Sequence, residues 1–275
     1  MTSGNPRETV SQALARLYDL DLAEDPGDVE LYRALARRTG GPIIELAVGS
    51  GRIAAPLVAD GHRVVGVDID TAMLDRARVR AAPSAGPSAP EGRAGARALV
   101  LVEVDMVEAP EHHEVAAAGP YQLVILGLNS ILLLASAERQ RAALGAMARL
   151  LAPGGVAVVD AWQPSPTDLV AFDGRLSFEW LRTDPETGNE VTKFAAAWFD
   201  PTTRLVTLTT LFDEGLPGVA PVRWARTDAL RLITVDELAG FARAAGLEIE
   251  QLAGDHELGP LHAGSDRVVL LARRT

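Results

Sequence analysis

The sequence predicts an α/β fold, a doubly wound and mostly parallel sheet with an antiparallel β insertion late in the chain. Three observations predict it. Strand-like and helix-like stretches alternate from Ile43 to Trp162, a glycine turn at Gly49, Ser50 and Gly51 joins the first strand to a helix, and four strand-like runs crowd together between Ser165 and Leu232. Parallel strands are buried on both faces and read as continuous apolar runs, whereas hairpin strands alternate, so the change of pattern marks a change of architecture.

The elements follow in order. Helical patterns over residues 8–20 and 29–38 are separated by the breaker Asp25-Pro26-Gly27. Residues 43–46 are a short apolar run ending at the glycine turn, where glycine lets the chain reverse and bring backbone N–H groups against a ligand. Ile53, Ala54, Leu57 and Val58 recur at helical spacing. Residues 63–67 form a second buried strand that delivers Asp68 to the carboxyl edge of the sheet, where open α/β sheets bind their ligands. Asp70 is placed to cap a helix over 70–80. Residues 81–96, rich in Ala, Pro, Gly and Ser, read as a mobile surface loop.

Strands over 98–104 and 121–126, a helix over 137–151, a turn at Pro153-Gly154-Gly155 and a strand over 156–162 complete the alternation. The insertion then reads as strands over 176–182, 191–199, 205–212 and 222–232, with turns at 184–189 and 200–203. Thr234 and Glu237 form a capping box for a last helix, followed by strands over 247–252 and 267–272. His112 and His113 adjoin Glu111 and Glu114, but sequence neighbours do not share a helix face, so a solvated loop is expected there and no metal site.

The chain has 275 residues, enough for a large α/β domain, with 48% hydrophobic and 23% charged residues. Its formal net charge of −11 argues against nucleic acid or an anionic membrane as the main partner, since both are polyanions; an uncharged or cationic small molecule is easier to accommodate. No cysteine is present, which excludes a disulfide framework, a thiolate nucleophile and a cysteine-ligated zinc. The opening MTSGNPRETV lacks an apolar run of signal-peptide length, and the most apolar stretch, 123–135, is broken by Gly127, Asn129 and Ser130. A cytoplasmic location is therefore expected.

Glu45, Gly49, Gly51, Asp68 and Asp105 lie at or beside the carboxyl ends of the first three strands. Such a layout suits an adenosine-type cofactor. A strand-end acid accepts two hydrogen bonds from ribose hydroxyls, and Asp105 is placed to accept one from an adenine amino group with Met106 packing the ring. GSGRIA also satisfies G-x-G-x-x-A, and Asp68 follows Gly49 at about the 20-residue spacing of an NAD site, so an NAD(P)-dependent oxidoreductase is the alternative enzyme.

ELAVGSGR (45–52), VVGVDIDTAML (64–74), VEVDM (102–106), LLAPGGVAVVD (150–160) and the closing segment 254–273 resemble the class I S-adenosylmethionine-dependent methyltransferases, specifically the small-molecule type. The resemblance implies a seven-stranded sheet ending in a C-terminal antiparallel hairpin and S-adenosyl-L-methionine as cofactor. It also implies that Glu45, Ala47, Gly49 and Gly51 line the methionine side, that Arg52 is among the cofactor-binding residues, that Asp68 holds the ribose, and that Ile69 and Met73 flank the adenine. Asp105 and Met106 would read the adenine edge, and Leu126 would face the methionyl part. Ala47 and Val48 depart from the Gly and Cys common at those positions.

By the same resemblance, residues 1–40 form an N-terminal lid, 41–164 and 233–275 the methyltransferase core, and 165–232 an acceptor cap or a contact in a homodimer. Tyr18 would touch the donor carboxylate or the acceptor, with Asn129, Trp162, Gln163 and His256 as further acceptor-side candidates. His256, and beside it His262, lie in the loop between the last two strands as candidates for a general base, which an in-line methyl transfer needs only when the acceptor arrives protonated or as a poorly acidic hydroxyl. Plainer readings stand beside these: Glu45 as a helix cap, Tyr18 and the tryptophans as packing groups, Asn129 as a helix breaker. A methyltransferase-fold protein that binds without turnover is the third functional reading.

Overall fold

The computed structural model describes residues 8–24, 26–82 and 99–274; Asp25, Ala98 and all but the first two residues of the loop expected over 81–96 lie outside them. The chain opens with α1 (Val10–Asp21), where the Thr9 hydroxyl accepts from the Gln12 backbone N–H and the Gln12 side chain returns the bond to the Thr9 N–H. This capping box satisfies donors that a helix start leaves orphaned. α2 (Val29–Thr39) follows, then β1 (Ile43–Leu46), α3 (Ala54–Ala59) and β2 (Val64–Asp68). Asp70 caps α4 (Thr71–Arg80) by accepting from the Ala72 N–H at 2.8 Å. β3 (Leu99–Glu103), α5 (His113–Ala118), β4 (Tyr121–Leu126), α6 (Ala137–Leu150) and β5 (Leu151–Trp162) continue the alternation.

Two local expectations are corrected. His113 opens α5, so the His pair does not sit in a loop: the apolar run Val115 to Ala118 reaches the core through Val115, which is fully buried. The Pro153 to Gly155 turn does not precede β5 but lies within it, because Leu151 already pairs with Tyr121 before the register shifts and Leu123 pairs with Val156. The extra residues form a bulge.

β5 leads through α7 (Pro166–Ala171) into β6 (Ser177–Thr183), β7 (Glu190–Asp200), β8 (Leu205–Gly215) and β9 (Val222–Arg231), and the chain ends with α8 (Val235–Ala244), β10 (Leu247–Ala253) and β11 (Arg267–Arg274). Seven strands form one sheet in the order β10-β11-β5-β4-β1-β2-β3, parallel except for β11, which runs antiparallel to both β5 and β10. The four insertion strands form a separate antiparallel sheet, β6-β7-β8-β9.

Alternation along each parallel strand splits the core between two sheet faces. Ile44, Leu46, Val65, Val67, Val124 and Leu126 pack toward α6 and α8, while Ile43, Val64, Leu123 and Ile125 pack toward α2 and α3. Gly66 sits between Val48 and Leu101, where a Cβ would come within 2.8 and 2.9 Å of their methyl groups. A side chain there would lift the glycine turn off the sheet.

The insertion sheet meets the core through α1. Leu17 and Leu20 pack against Val191 and Phe212 with Trp180 and Trp224 at the margin, and Asp21 accepts from Trp180 Nε1 and Lys193 Nζ. The Arg16 guanidinium, 5% exposed, is buried among Glu8, Asp184 and Glu214. Burial would lower its pKa, but the hydrogen bonds and charges of those carboxylates outweigh it and hold it above the ordinary arginine range. Removing one member of a buried ion group strands the others without compensation. Arg16→Ala should therefore cost about 3 to 5 kcal/mol of stability, read as a lowered midpoint in urea unfolding.

Candidate active site

A cleft of about 570 Å³ opens at the carboxyl ends of β1, β2 and β3. Ala47, Gly49, Val67 and Asp68 form its floor, Ile69, Asp70 and Met73 one wall, and Val104, Asp105 and Met106 the far edge. Val10, Ser11, Leu14, Ala15 and Tyr18 of α1 roof it, joined by Arg226 of β9; Ser130, Leu133, Leu134 and Arg139 close the remaining side.

Asp68 is the best-determined group in it. Its Oδ2 accepts from the Gly49 N–H at 2.8 Å and its Oδ1 from the Asp70 N–H at 2.9 Å, so the carboxylate locks the glycine turn to the end of β2. Each oxygen has lone-pair capacity for one more donor, and two vicinal hydroxyls fit that arrangement. Burial pushes the Asp68 pKa up, against the backbone hydrogen bonds that pull it down, and burial prevails.

Ala47 adopts φ 55°, a left-handed conformation uncommon for a residue with a Cβ, where glycine would be unstrained. Gly51 has φ 79°, and a Cβ there would meet the Cβ of Ala77 at 3.0 Å; its requirement is the close approach of α4. Glu45 is 4% exposed beneath the floor. Burial holds its pKa well above the carboxylate range, countered incompletely by Arg52, and its Oε2 has no partner among the described residues.

Arg52 is engaged by Asp28 through paired hydrogen bonds of 2.6 and 2.7 Å. Tyr18 roofs the cleft with its hydroxyl in the field of Arg52 and Arg226, yet burial dominates and pushes its pKa up to about 12. Asp105 accepts from the Val107 N–H at 2.9 Å and pairs with Arg139. Met73 and Met106 line the cleft, and Ile69 stands 70% exposed at its lip.

Eight candidates lie outside the cleft lining: Glu45, Gly51 and Arg52, which sit at and behind the glycine turn, and five more. Leu126 ends β4 with its side chain fully buried in the core. Asn129, left-handed at φ 64°, uses its side-chain oxygen to accept from the Trp162 N–H at 2.6 Å and so ties the end of β4 to β5. The Trp162 ring packs on Phe172, with centroids 5.8 Å apart. Gln163 donates from Nε2 to the carbonyls of Trp162 and Ile233. His256 lies with Nε2 at 3.1 Å from Asp160 and 2.9 Å from Arg267. Asp28, Asp160 and His256 bring ligand-type atoms within 4.8 Å of one another, but Arg52 and Arg267 already neutralise the two carboxylates, which makes the group an ion-pair network.

Sequence reasoning missed Ser11, Leu14, Ser130, Leu133, Leu134, Arg139 and Arg226. The α1 residues were findable in principle, because Leu14 and Tyr18 are one helical turn apart on an apolar stripe. Arg226 carried no signal: an arginine on an exposed-looking hairpin strand is ordinary.

The residues present fit S-adenosylmethionine. A strand-end carboxylate with spare acceptor capacity faces the cleft, an apolar slot of Ile69, Met73 and Met106 adjoins it, and the buried unpartnered Oε2 of Glu45 lies behind the glycine turn. Residues 43–155 match the profile of the methyltransferase domain family. That stretch is a methyltransferase domain, and the chain has the fold of the S-adenosylmethionine-dependent methyltransferases.

Solved structures share this fold over nearly the whole length of the chain. The CcbJ methyltransferase from Streptomyces caelestis is 25% identical, covers 92% of this chain and 98% of its own, and superposes with a TM-score of 0.73. The sugar N-methyltransferase KedS8 from Streptoalloteichus is 21% identical over 94% of this chain and 93% of its own, with a TM-score of 0.67. CalS10, an amino pentose methyltransferase from Micromonospora echinaspora whose structure holds S-adenosylmethionine, is 20% identical over 99% of each chain, with a TM-score of 0.64. No curated protein matches by sequence.

Asp68→Ala should weaken S-adenosylhomocysteine binding by roughly 1.5 to 3 kcal/mol, the range for hydrogen bonds to a charged group, read by calorimetric titration. The same carboxylate sets a pH limit. Its raised pKa means that it protonates at a higher pH than an ordinary aspartate, so affinity should fall with acidification starting above the usual aspartate range, and the Asn variant should lose that dependence.

Proposed function

We propose that this methyltransferase alkylates an amine nitrogen of a small molecule held between the donor cleft and the insertion sheet, with 1–40 acting as lid and 165–232 as acceptor cap. S-adenosylmethionine supplies an electrophilic methyl group on a sulfonium. The chain's task is then to align a nucleophile with that methyl group and to exclude water.

The observation that carries the amine reading is the character of the roof. Among the described residues, α1 and β9 present Tyr18 and Arg226 to the cleft, with no histidine and no unengaged carboxylate. With its pKa near 12, Tyr18 stays protonated and donates a hydrogen bond; it does not take a proton. A hydroxyl acceptor would need a general base, whereas an amine that arrives neutral needs alignment alone. The sugar N-methyltransferase and amino pentose methyltransferase structures support the same chemistry.

A cleft of about 570 Å³ supports a small-molecule acceptor over a nucleic acid or membrane, and no helix of the described residues is long and apolar enough to cross a membrane. A cytoplasmic location remains our reading of the cysteine-free composition. With methyl-labelled donor, a panel of small amines and matched alcohols should show transfer to amines alone, at a rate rising with pH as the amine loses its proton. Transfer to the alcohols with no transfer to amines would overturn the reading.

The face of the insertion sheet turned away from α1 supports a homodimer. Phe178, Leu181 and Trp198 are 62%, 55% and 55% exposed there, with Phe194 and Leu211 between them. A contiguous apolar patch on a sheet marks an association surface. Sedimentation should find a dimer that Trp198→Glu dissociates; a monomeric wild-type protein would exclude it.

A further inference from the structure

The register of the insertion sheet places Arg226 and Asp228 side by side on the face that meets α1, with Arg226 in the roof of the cleft. Cross-strand partners share a face, so the side of the sheet facing the core can be read rung by rung. At one end Phe212 and Trp224 pack on α1; at the other, Val206 and Leu230 join the main core. Between these packed ends lie two rungs of different character, Ala195 with Thr210 and Arg226, and Ala197 with Leu208 and Asp228. Of these residues Arg226 lines the cleft, beside Leu14, Tyr18 and Ser130.

Arg226 is prepared for a ligand. Its Nε donates to Asp228 at 2.9 Å, which fixes the plane of the guanidinium, while its terminal nitrogens carry no hydrogen bond to the described residues. The group is half-buried, with 34% of the side chain exposed and Asp228 more covered at 19%. A guanidinium held at Nε and free at both Nη atoms is a fork that matches the two oxygens of a carboxylate or phosphate.

We propose that Arg226 determines acceptor specificity by binding an anionic group, carboxylate or phosphate, carried by the acceptor, and so orients the amine toward the donor. This rests on the reading that the acceptor enters beneath the insertion sheet. It refines the expectation from the formal charge of −11, under which an anion is disfavoured at long range. At the site the balance reverses. The acidic groups of the cleft, Asp68, Asp70 and Asp105, lie on the adenosine side, whereas Arg226 comes from the opposite wall. An anion there also offsets the electrostatic repulsion between Arg226 and a sulfonium brought close to it.

The test uses the full chain saturated with S-adenosylhomocysteine, titrated with inorganic phosphate and separately with acetate, and followed by calorimetry and by tryptophan fluorescence, since Trp224 lies two residues from Arg226 on the same face. Binding of phosphate in preference to acetate identifies a phosphoryl acceptor, and the reverse a carboxylate. Arg226→Gln should weaken the preferred anion roughly 10-fold or more, as loss of a charge-assisted pair requires, and leave S-adenosylhomocysteine affinity unchanged. Arg226→Lys should fall between. The double variant Arg226→Gln, Asp228→Asn leaves no unpaired carboxylate and should bind anion as poorly as Arg226→Gln.

Any of four results overturns the proposal. The wild-type complex binds neither anion; Arg226→Gln binds it as well as wild type; the double variant recovers binding, which would make the loss a repulsion from Asp228; or Arg226→Gln weakens S-adenosylhomocysteine, which would make Arg226 a donor contact. Failure of the amine reading appears separately, as transfer to alcohols in the acceptor panel, and does not move the anion titration.

Discussion

The roof of this active site depends on the burial of one cation. Arg16 projects from α1 into the insertion sheet, where Asp184 and Glu214 hold it, and Leu17, Leu20, Val191 and Phe212 close an apolar cluster around it. Because α1 also carries Leu14 and Tyr18 over the donor cleft, the same contact fixes how far the sheet stands from the glycine turn. Asp68 on the floor and Arg226 on the roof thus face one cleft, with α1 clamped between the two sheets. Asp19 completes the clamp on the other side through Ser50 and Arg76.

Floor and roof meet different physical demands. The floor uses backbone groups: Asp68 accepts from the Gly49 and Asp70 amides, and Gly51 and Gly66 exist for close approach. Such a surface is rigid and suits a donor that is always the same. The roof uses side chains from α1 and β9, which can differ between related proteins without disturbing the parallel sheet. Methyl transfer asks little acid–base chemistry of either surface, in keeping with a tyrosine too weakly acidic to act as a base and an arginine that cannot.

Much of the floor was legible in the sequence. The run from Ile43 through the glycine turn to Asp68, the helix cap at Asp70 and the acid with methionine at Asp105 and Met106 appear where periodicity and turn chemistry place them, because each depends on neighbours in the chain. The acceptor-side candidates fared differently. Asn129, Trp162 and Gln163 looked available because they end strands at the ligand edge, yet Asn129 commits its side-chain oxygen and Gln163 its amide nitrogen to joining β4, β5 and the end of the insertion, and Trp162 packs on Phe172. A polar residue at a strand end serves a ligand or the backbone beside it, and its sequence position is the same in both cases.

The sequence by itself determined the fold class, the order of elements, the antiparallel insertion and the place of Asp68 at the carboxyl edge of the sheet, since these follow from side-chain period, glycine turns and caps within short stretches. Only the tertiary structure decided which face of the insertion meets the core, that α1 bridges the two sheets, and that Arg226 reaches the cleft while His256 is held by Asp160 and Arg267. The physical reason is that a strand's alternation fixes which residues share a face but not what that face packs against. That choice is made by contacts such as Arg16 with Asp184 and Glu214, which join residues far apart in the chain.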